Sequence, residues 1–235
     1  MTNDANNTIL DNVKIIREKI AEAAVVSGRA PEDIRLIAAA KTQSADLIKA
    51  AISAGVDAVG ENRVQEMLLK HEQGAYKGAP LHFIGHLQSN KVNKIVGVCD
   101  LIESVDSVEL LARIGKRATS LDITQDVLIE VNIGEESQKA GILPKQLPEL
   151  LESAGQIQGI NVLGFMAIPP INGENDKNCY YFNKMFQLFI DIRAKKYDNV
   201  SVRFLSMGMS DSYYDAILSG ANIVRVGSKL FGARA

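Results

Sequence analysis

Eight short apolar runs recur along this chain, and helical periodicity fills the stretches between them. The runs fall at 34–41, 57–61, 81–85, 100–105, 126–132, 160–168, 202–207 and 223–227. Helical patterns occupy 44–54, 62–72, 88–97, 107–120, 144–155, 176–196 and 211–219. Strands covered by helices on both faces read as near-continuous apolar runs, and strict strand–helix alternation implies a parallel sheet. Eight repeats favour an α/β fold closed as a (β/α)8 TIM barrel over an open doubly wound sheet, although periodicity alone leaves closure open. A chain of 235 residues suits one such domain, so 1–235 reads as a single domain. Upstream, Ile9, Val13, Ile16, Ile20 and Ala23 recur at helical spacing, and Ser27-Gly28 ends that segment. Only eight residues follow Gly227. A helix within residues 1–30 is therefore expected to pack on the barrel where an eighth helix would lie.

Composition narrows the function classes. Hydrophobic residues make up 46% and charged residues 23%, enough for a sizeable core and unlike a disordered chain. A net charge of −2 gives no broad footprint for nucleic acid or an anionic membrane. No apolar run approaches a membrane span. The polar start Met1-Thr2-Asn3-Asp4-Ala5-Asn6-Asn7 lacks the order of a signal peptide. Cys99 and Cys179 form no CxxC and no disulfide framework, which fits a reduced, cytoplasmic protein.

In barrels of this kind the active site lies at the C-terminal ends of the strands. Here those ends carry polar or glycine-rich residues: Lys41-Thr42, Gly60-Glu61-Asn62, His82 with Gly85-His86, Glu130-Val131-Asn132, Met166-Ala167, Ser206-Met207-Gly208-Met209-Ser210, and Arg225 with Gly227-Ser228. Lys41 is the sharpest of them. It ends the apolar run Ile34-Arg35-Leu36-Ile37-Ala38-Ala39-Ala40. A buried amine is disfavoured as a cation, and a neutral amine attacks carbonyls to form a Schiff base. Taken alone, a strand-end lysine also reads as one that snorkels into water. Met207-Gly208-Met209-Ser210-Asp211 leads into a helix whose N-cap is expected at Ser210 or Asp211. A helix N-terminus there, with flexible Gly227-Ser228 after the next strand, suits a phosphate; an ordinary capped turn is the plain alternative.

Other chemistries find less support. No Walker motif, GxGxxG or GxSxG occurs. His82 and His86 are separated by strand and turn, so no metal set is expected. Glu61, Glu103 and Glu130 read as structural acids, and Lys91 and Lys94 as a solvated helix face. Tyr180, Tyr181, Phe182, Phe186 and Phe189 read as helix core.

Together these segments resemble the pyridoxal phosphate homeostasis protein family, whose fold is similar to the N-terminal barrel domain of alanine racemase standing alone. The resemblance rests on Ala38-Ala39-Ala40-Lys41-Thr42, on Gly60-Glu61-Asn62-Arg63-Val64-Gln65-Glu66, and on His82-Phe83-Ile84-Gly85-His86-Leu87-Gln88-Ser89-Asn90-Lys91. It continues through Gly164-Phe165-Met166-Ala167-Ile168-Pro169, Leu205-Ser206-Met207-Gly208-Met209-Ser210-Asp211 and Val224-Arg225-Val226-Gly227-Ser228. These motifs span nearly the whole chain in order. The resemblance implies that Lys41 carries pyridoxal 5′-phosphate (PLP) as a Schiff base and that Ser210, Gly227 and Ser228 hold its phosphate. It implies that Asn62 and His82 line the ring pocket, with Met207 and Gly208 in the surrounding loop, and that Arg225 faces the pyridine nitrogen. A permanent cation there keeps that nitrogen unprotonated and the cofactor a weaker electron sink. On the residues alone Arg225 reads equally as a salt-bridge partner of the phosphate or of a core carboxylate.

This chain departs from the family pattern at several points. Gln43 and Ser44 stand where family members often carry a second lysine and a proline, and Arg63 replaces a tyrosine. Lys139 falls near a family lysine but in the spelling Ser137-Gln138-Lys139-Ala140-Gly141, as a possible secondary aldehyde-binding amine.

The resemblance implies a non-catalytic carrier that takes part in intracellular vitamin B6 homeostasis and releases PLP to apo PLP-dependent enzymes. The competing reading is a PLP-dependent, racemase-like enzyme, which needs acid/base groups on both faces of the substrate carbon. In racemases one of those groups comes from an added β domain, and none is expected here. A cofactor-free Schiff-base aldolase would use Lys41 and leave Arg225 and the phosphate residues idle. A monomer is expected, with no nucleic-acid or membrane partner.

Overall fold

The computed structural model describes residues 2–170 and 175–232. Eight parallel strands close a barrel in the order β1 to β8. They are β1 (Arg35–Ala39), β2 (Ala58–Glu61), β3 (Leu81–Phe83), β4 (Leu101–Val105), β5 (Gln125–Glu130), β6 (Ile160–Met166), β7 (Val200–Ser206) and β8 (Ile223–Val226). The helices are α1 (Thr2–Val26), α2 (Ala45–Ser53), α3 (Val64–Glu72), α4 (Val92–Ile95), α5 (Val108–Ser120), α6 (Leu147–Ala154), α7 (Asn175–Arg193), α8 (Tyr213–Leu218) and α9 (Ser228–Phe231). This is the closed (β/α)8 barrel that the eight apolar runs favour.

Contacts within the chain gather into two halves, residues 1–82 with 207–235, and residues 83–206. In the first, β1 pairs with β2 (Ile37 beside Ala58, Ala39 beside Gly60) and with β8 (Ile37 beside Arg225, Ala38 beside Val226). Leu36, Ile37, Ala38, Val59, Val224 and Val226 are fully buried, as a sheet covered on both faces requires. Ser44 caps α2 by accepting from the Leu47 amide. Helix α1 buries Ile9, Val13, Ile16, Ile20 and Ala23 and packs against α2, α8 and α9. Asn12 Nδ2 donates to the Leu230 carbonyl at 2.9 Å, tying α1 to α9.

In the second half, Ser107 caps α5. Phe83, Phe165 and Phe182 are fully buried, and Phe189 meets Phe165 edge-on. The aromatic run is not all core: Tyr180 is 61% exposed, since it points away from the α7 face that carries Phe182, Met185 and Phe189.

Six of the eight strands stop one or two residues short of the ends of the apolar runs that suggested them, and β2 and β4 end with theirs. β1 ends at Ala39, so Lys41 lies in the turn beyond it and is half-buried rather than enclosed. The pattern of apolar residues tracks burial, and burial continues past the last ladder bond.

Candidate functional site

Lys41, Asn62, His82, Met207, Gly208, Ser210, Arg225, Gly227 and Ser228 all belong to the first half, residues 1–82 with 207–235. Strand alternation places Ile37 and Ala39 on one face of β1, two residues before Lys41. Arg225, level with Ile37 on the neighbouring strand, shares that face. It is 4% exposed. His82 is buried in β3, and Asn62 is half-buried just beyond β2.

The strand-end loops are tied by backbone. Met207 is buried, and its amide donates to the Ile223 carbonyl at 3.1 Å. The Gly208 carbonyl accepts from the Arg225 amide at 3.0 Å. Gly208 has φ +92, and a side chain there would meet Ala216 and Tyr213. Gly227 lies against β1: an added Cβ would fall 3.2 Å from the Ala39 carbonyl oxygen. A side chain would crowd the gap between the two strand ends that carry Lys41 and Ser228.

Ser210 does not cap α8. The N-cap is Ser212, and the Ser212 hydroxyl accepts from the Met209 amide at 3.2 Å. Ser210 is engaged elsewhere. Its Oγ accepts from the Gly227 amide at 3.2 Å and the Lys229 amide at 3.4 Å, joining the β7–α8 loop to the β8–α9 turn. With both amides pointing at its lone pairs, the hydroxyl keeps its proton for an oxyanion. Lys229 adds a cation beside this pair, within 3.5 Å of Asp211 and over the Tyr213 ring. An amine, a hydroxyl and a buried guanidinium are donors suited to a small anionic carbonyl compound.

Lys139 belongs to the other half, on an exposed loop after β5 whose frame is Asn132 bonded to the Glu136 carbonyl at 2.8 Å. His86 is exposed, 3.6 Å from Asp106, whose carboxyl is pushed up chiefly by burial. Glu103 is buried and accepts from Ser206 Oγ at 2.6 Å, a structural role. Among the described residues no three His, Cys, Asp or Glu side chains are placed to hold a metal, and no helix is long and apolar enough to cross a membrane.

Sequence reasoning read Glu61 as structural but did not single out its partner. Glu61 is fully buried, and its Oε1 accepts from Lys70 Nζ at 2.7 Å and from Tyr76 at 3.0 Å. Burial pushes this carboxyl up against the opposing pull of Lys70. Lys70 Nζ also donates to the Ala40 carbonyl at 3.0 Å, one residue before Lys41. A signal existed: Val64, Met67 and Lys70 recur every three residues, so a lysine interrupts the buried stripe of α3.

Residues 9–235 match the family model for the alanine racemase N-terminal domain. A pyridoxal phosphate homeostasis protein of Aquifex aeolicus is 41% identical over 219 residues, covering 93% of this chain and 95% of the relative. A crystal structure of an unknown protein from Bifidobacterium adolescentis superposes with a TM-score of 0.91 at 36% identity, covering 97% and 96% of the two chains. The structure of PipY of Synechococcus elongatus with PLP bound superposes with a TM-score of 0.76 at 32% identity, covering 91% of this chain and all of that one. The chain thus belongs to the pyridoxal phosphate homeostasis protein family, built on the alanine racemase N-terminal barrel.

Proposed function

We propose that this protein binds PLP on Lys41 and holds it for delivery rather than for turnover. The observation that carries the reading is one juxtaposition. Lys41, beyond the end of β1, and the Ser210 hydroxyl, tied by the Gly227 amide to the turn that follows the adjoining β8, offer an amine and an anion donor at neighbouring strand ends. The site fits PLP because its chain-supplied groups match an aldehyde at one end and a phosphate at the other. PLP supplies an electrophilic aldehyde and, with a protonated ring nitrogen, an electron sink. The Lys41 amine condenses with that aldehyde and releases one water, giving a Schiff base. Ser210, Gly227 and Ser228 hold the phosphate, and Asn62 and His82 line the ring. Met207 and Gly208 shape the loop around it. Arg225 faces the ring nitrogen and keeps protons off it, which weakens the sink.

The carrier reading is supported by the name borne by the relatives and by exposure at the site. Lys41 is half-buried, while Thr42 and Ser228 are exposed. Catalysis that relies on excluding water needs a drier setting. On this reading the protein works as a monomer in the cytoplasm, where Cys99 and Cys179 stay reduced, and apo PLP-dependent enzymes are the recipients.

Purified protein mixed with PLP is expected to show a visible absorption band that Lys41→Ala abolishes. Borohydride reduction and peptide mass mapping should place the pyridoxyl group on Lys41. An adduct on another residue overturns the assignment. Exchange of the α-hydrogen of alanine at an enzymatic rate overturns the carrier reading. Ser210→Ala is expected to weaken PLP binding roughly tenfold while leaving pyridoxal, which lacks the phosphate, unchanged. Equal losses for both ligands would remove Ser210 from the phosphate site.

A further inference from the structure

Resting on Lys41 as the cofactor-bearing amine, we infer that Glu66 and Lys70 of α3 are positioning residues that fix the backbone on both sides of it. They lie four residues apart, so both face the same way from the helix. The peptide before Lys41 is held at its carbonyl: Ala40 O accepts from Lys70 Nζ at 3.0 Å and from the Gln43 amide at 3.0 Å. The Ala40 amide donates to the Gly60 carbonyl at 2.9 Å. The peptide after Lys41 is held at its nitrogen, where the Thr42 amide donates to Glu66 Oε2 at 3.3 Å.

Thr42 shows that this frame holds a conformation the chain would not choose. Its φ is +64, a left-handed geometry that a β-branched residue rarely adopts. Such strain persists only where the surroundings over-determine it. The Thr42 hydroxyl donates back to the Lys41 carbonyl at 2.6 Å. Glu66 is itself fixed from its far side by Arg63, whose Nη1 lies 3.0 Å from Oε1. Lys70 is anchored on Glu61.

The consequence concerns aim. A lysine side chain is long and flexible, so the reach of its amine depends on where Cα sits and how the Cα–Cβ bond points. Tying both flanking peptides to one helix sets both. With either tie cut, the amine samples more directions, the Schiff base is less well held against hydrolysis, and PLP release quickens.

The test uses full-length protein loaded with PLP and an excess of an apo-aminotransferase as acceptor, following the gain of aminotransferase activity as PLP arrives. Glu66→Ala deletes the acceptor of the Thr42 amide, whereas Glu66→Gln keeps a carbonyl oxygen in place. Release from Glu66→Ala is expected to be on the order of tenfold faster than from wild type, with Glu66→Gln close to wild type. The Tm of all three should agree within about 2 °C. Should Glu66→Ala not fold, Glu66→Asp, one methylene shorter, is read in its place with the same expected acceleration. Equal release rates for wild type and Glu66→Ala overturn the positioning role, as does failure of Glu66→Gln to restore slow release. Wild type lacking any band that Lys41→Ala removes would defeat the PLP reading itself. A band present and a rate unmoved by Glu66→Ala would defeat only this inference.

Discussion

Lys70→Met is expected to lower the unfolding free energy by about 3–5 kcal/mol, the range for removing one partner of a buried ion pair. The side chains of Lys70 and Glu61 are 9% and 0% exposed, so water cannot replace the lost ammonium. Oε2 of Glu61 already has no hydrogen-bond partner, and after the change Oε1 keeps only Tyr76. The pH dependence follows from the direction of the Glu61 shift. Burial raises this carboxyl, and Lys70 is the strongest force opposing that rise. Without Lys70 the folded protein holds a proton on Glu61 to higher pH than the unfolded chain does. Stability of the variant should therefore climb as pH falls through the raised value. Urea denaturation should show the deficit against wild type wider at about pH 8 than at about pH 5. Adding Glu61→Gln removes the stranded charge while keeping an acceptor for Tyr76, and should recover most of the loss. A deficit under about 1 kcal/mol in the single variant would mean that the pair does not anchor α3.

The same pair marks the border of what the sequence made legible. Eight apolar runs predict eight strands because a sheet covered on both faces needs apolar residues at every position, not at alternate ones. Ile9 to Ala23 predict α1 because one helical stripe alone is buried. Those are burial signals, and burial is written into residue type. Local geometry is not written there. A threonine at φ +64 contradicts its own propensity, so nothing at position 42 announces the turn that presents Lys41. The sequence offered Ser210 or Asp211 as the cap of α8, yet the N-cap is Ser212. The turn after β8 engages Ser210 instead, through the Gly227 amide, and the N-cap position falls to Ser212. The Glu66 contact was illegible for a related reason: a charged residue on a helix reads as part of a solvated face until the neighbouring strand end is known.

The candidate residues nevertheless lie at or near strand ends, and the reason lies in the barrel. Parallel strands start and stop in register, so residues that end different strands come to the same rim whatever their separation along the chain. Lys41 and Gly227 are far apart in sequence yet sit at the ends of paired strands. A sequence reader who places the strands correctly has therefore placed their ends, even when each boundary is off by two residues.

Gly164→Ala is expected to destabilise the protein by about 4 kcal/mol or more, or to prevent folding, for reasons that never touch the cofactor residues. Gly164 lies in β6 with φ +147, and an added Cβ would fall 1.9 Å from the carbonyl oxygen of Phe204 on β7. The obstacle is strand backbone, which cannot rotate aside as a side chain can. The ladder between β6 and β7 changes register between Val162 and Gly164, and the ladder between β5 and β6 changes register between Val127 and Leu128. Gly164 thus occupies a bulge shared by two ladders, where the strand bends and its neighbour closes in. Gly28, with φ +72 and nothing within 4 Å of a built Cβ, provides the control. Gly28→Ala carries the backbone penalty without the collision and should lose only about 1 kcal/mol. Urea denaturation of the two variants separates strain from overlap, and equal losses would mean that β7 yields and the bulge is soft. Gly164 belongs to residues 83–206, whereas Lys41 and Ser210 belong to the other half. Any folded fraction of Gly164→Ala should therefore keep the visible band with PLP, and a folded variant that lost it would show that the bend in β6 reaches the cofactor site.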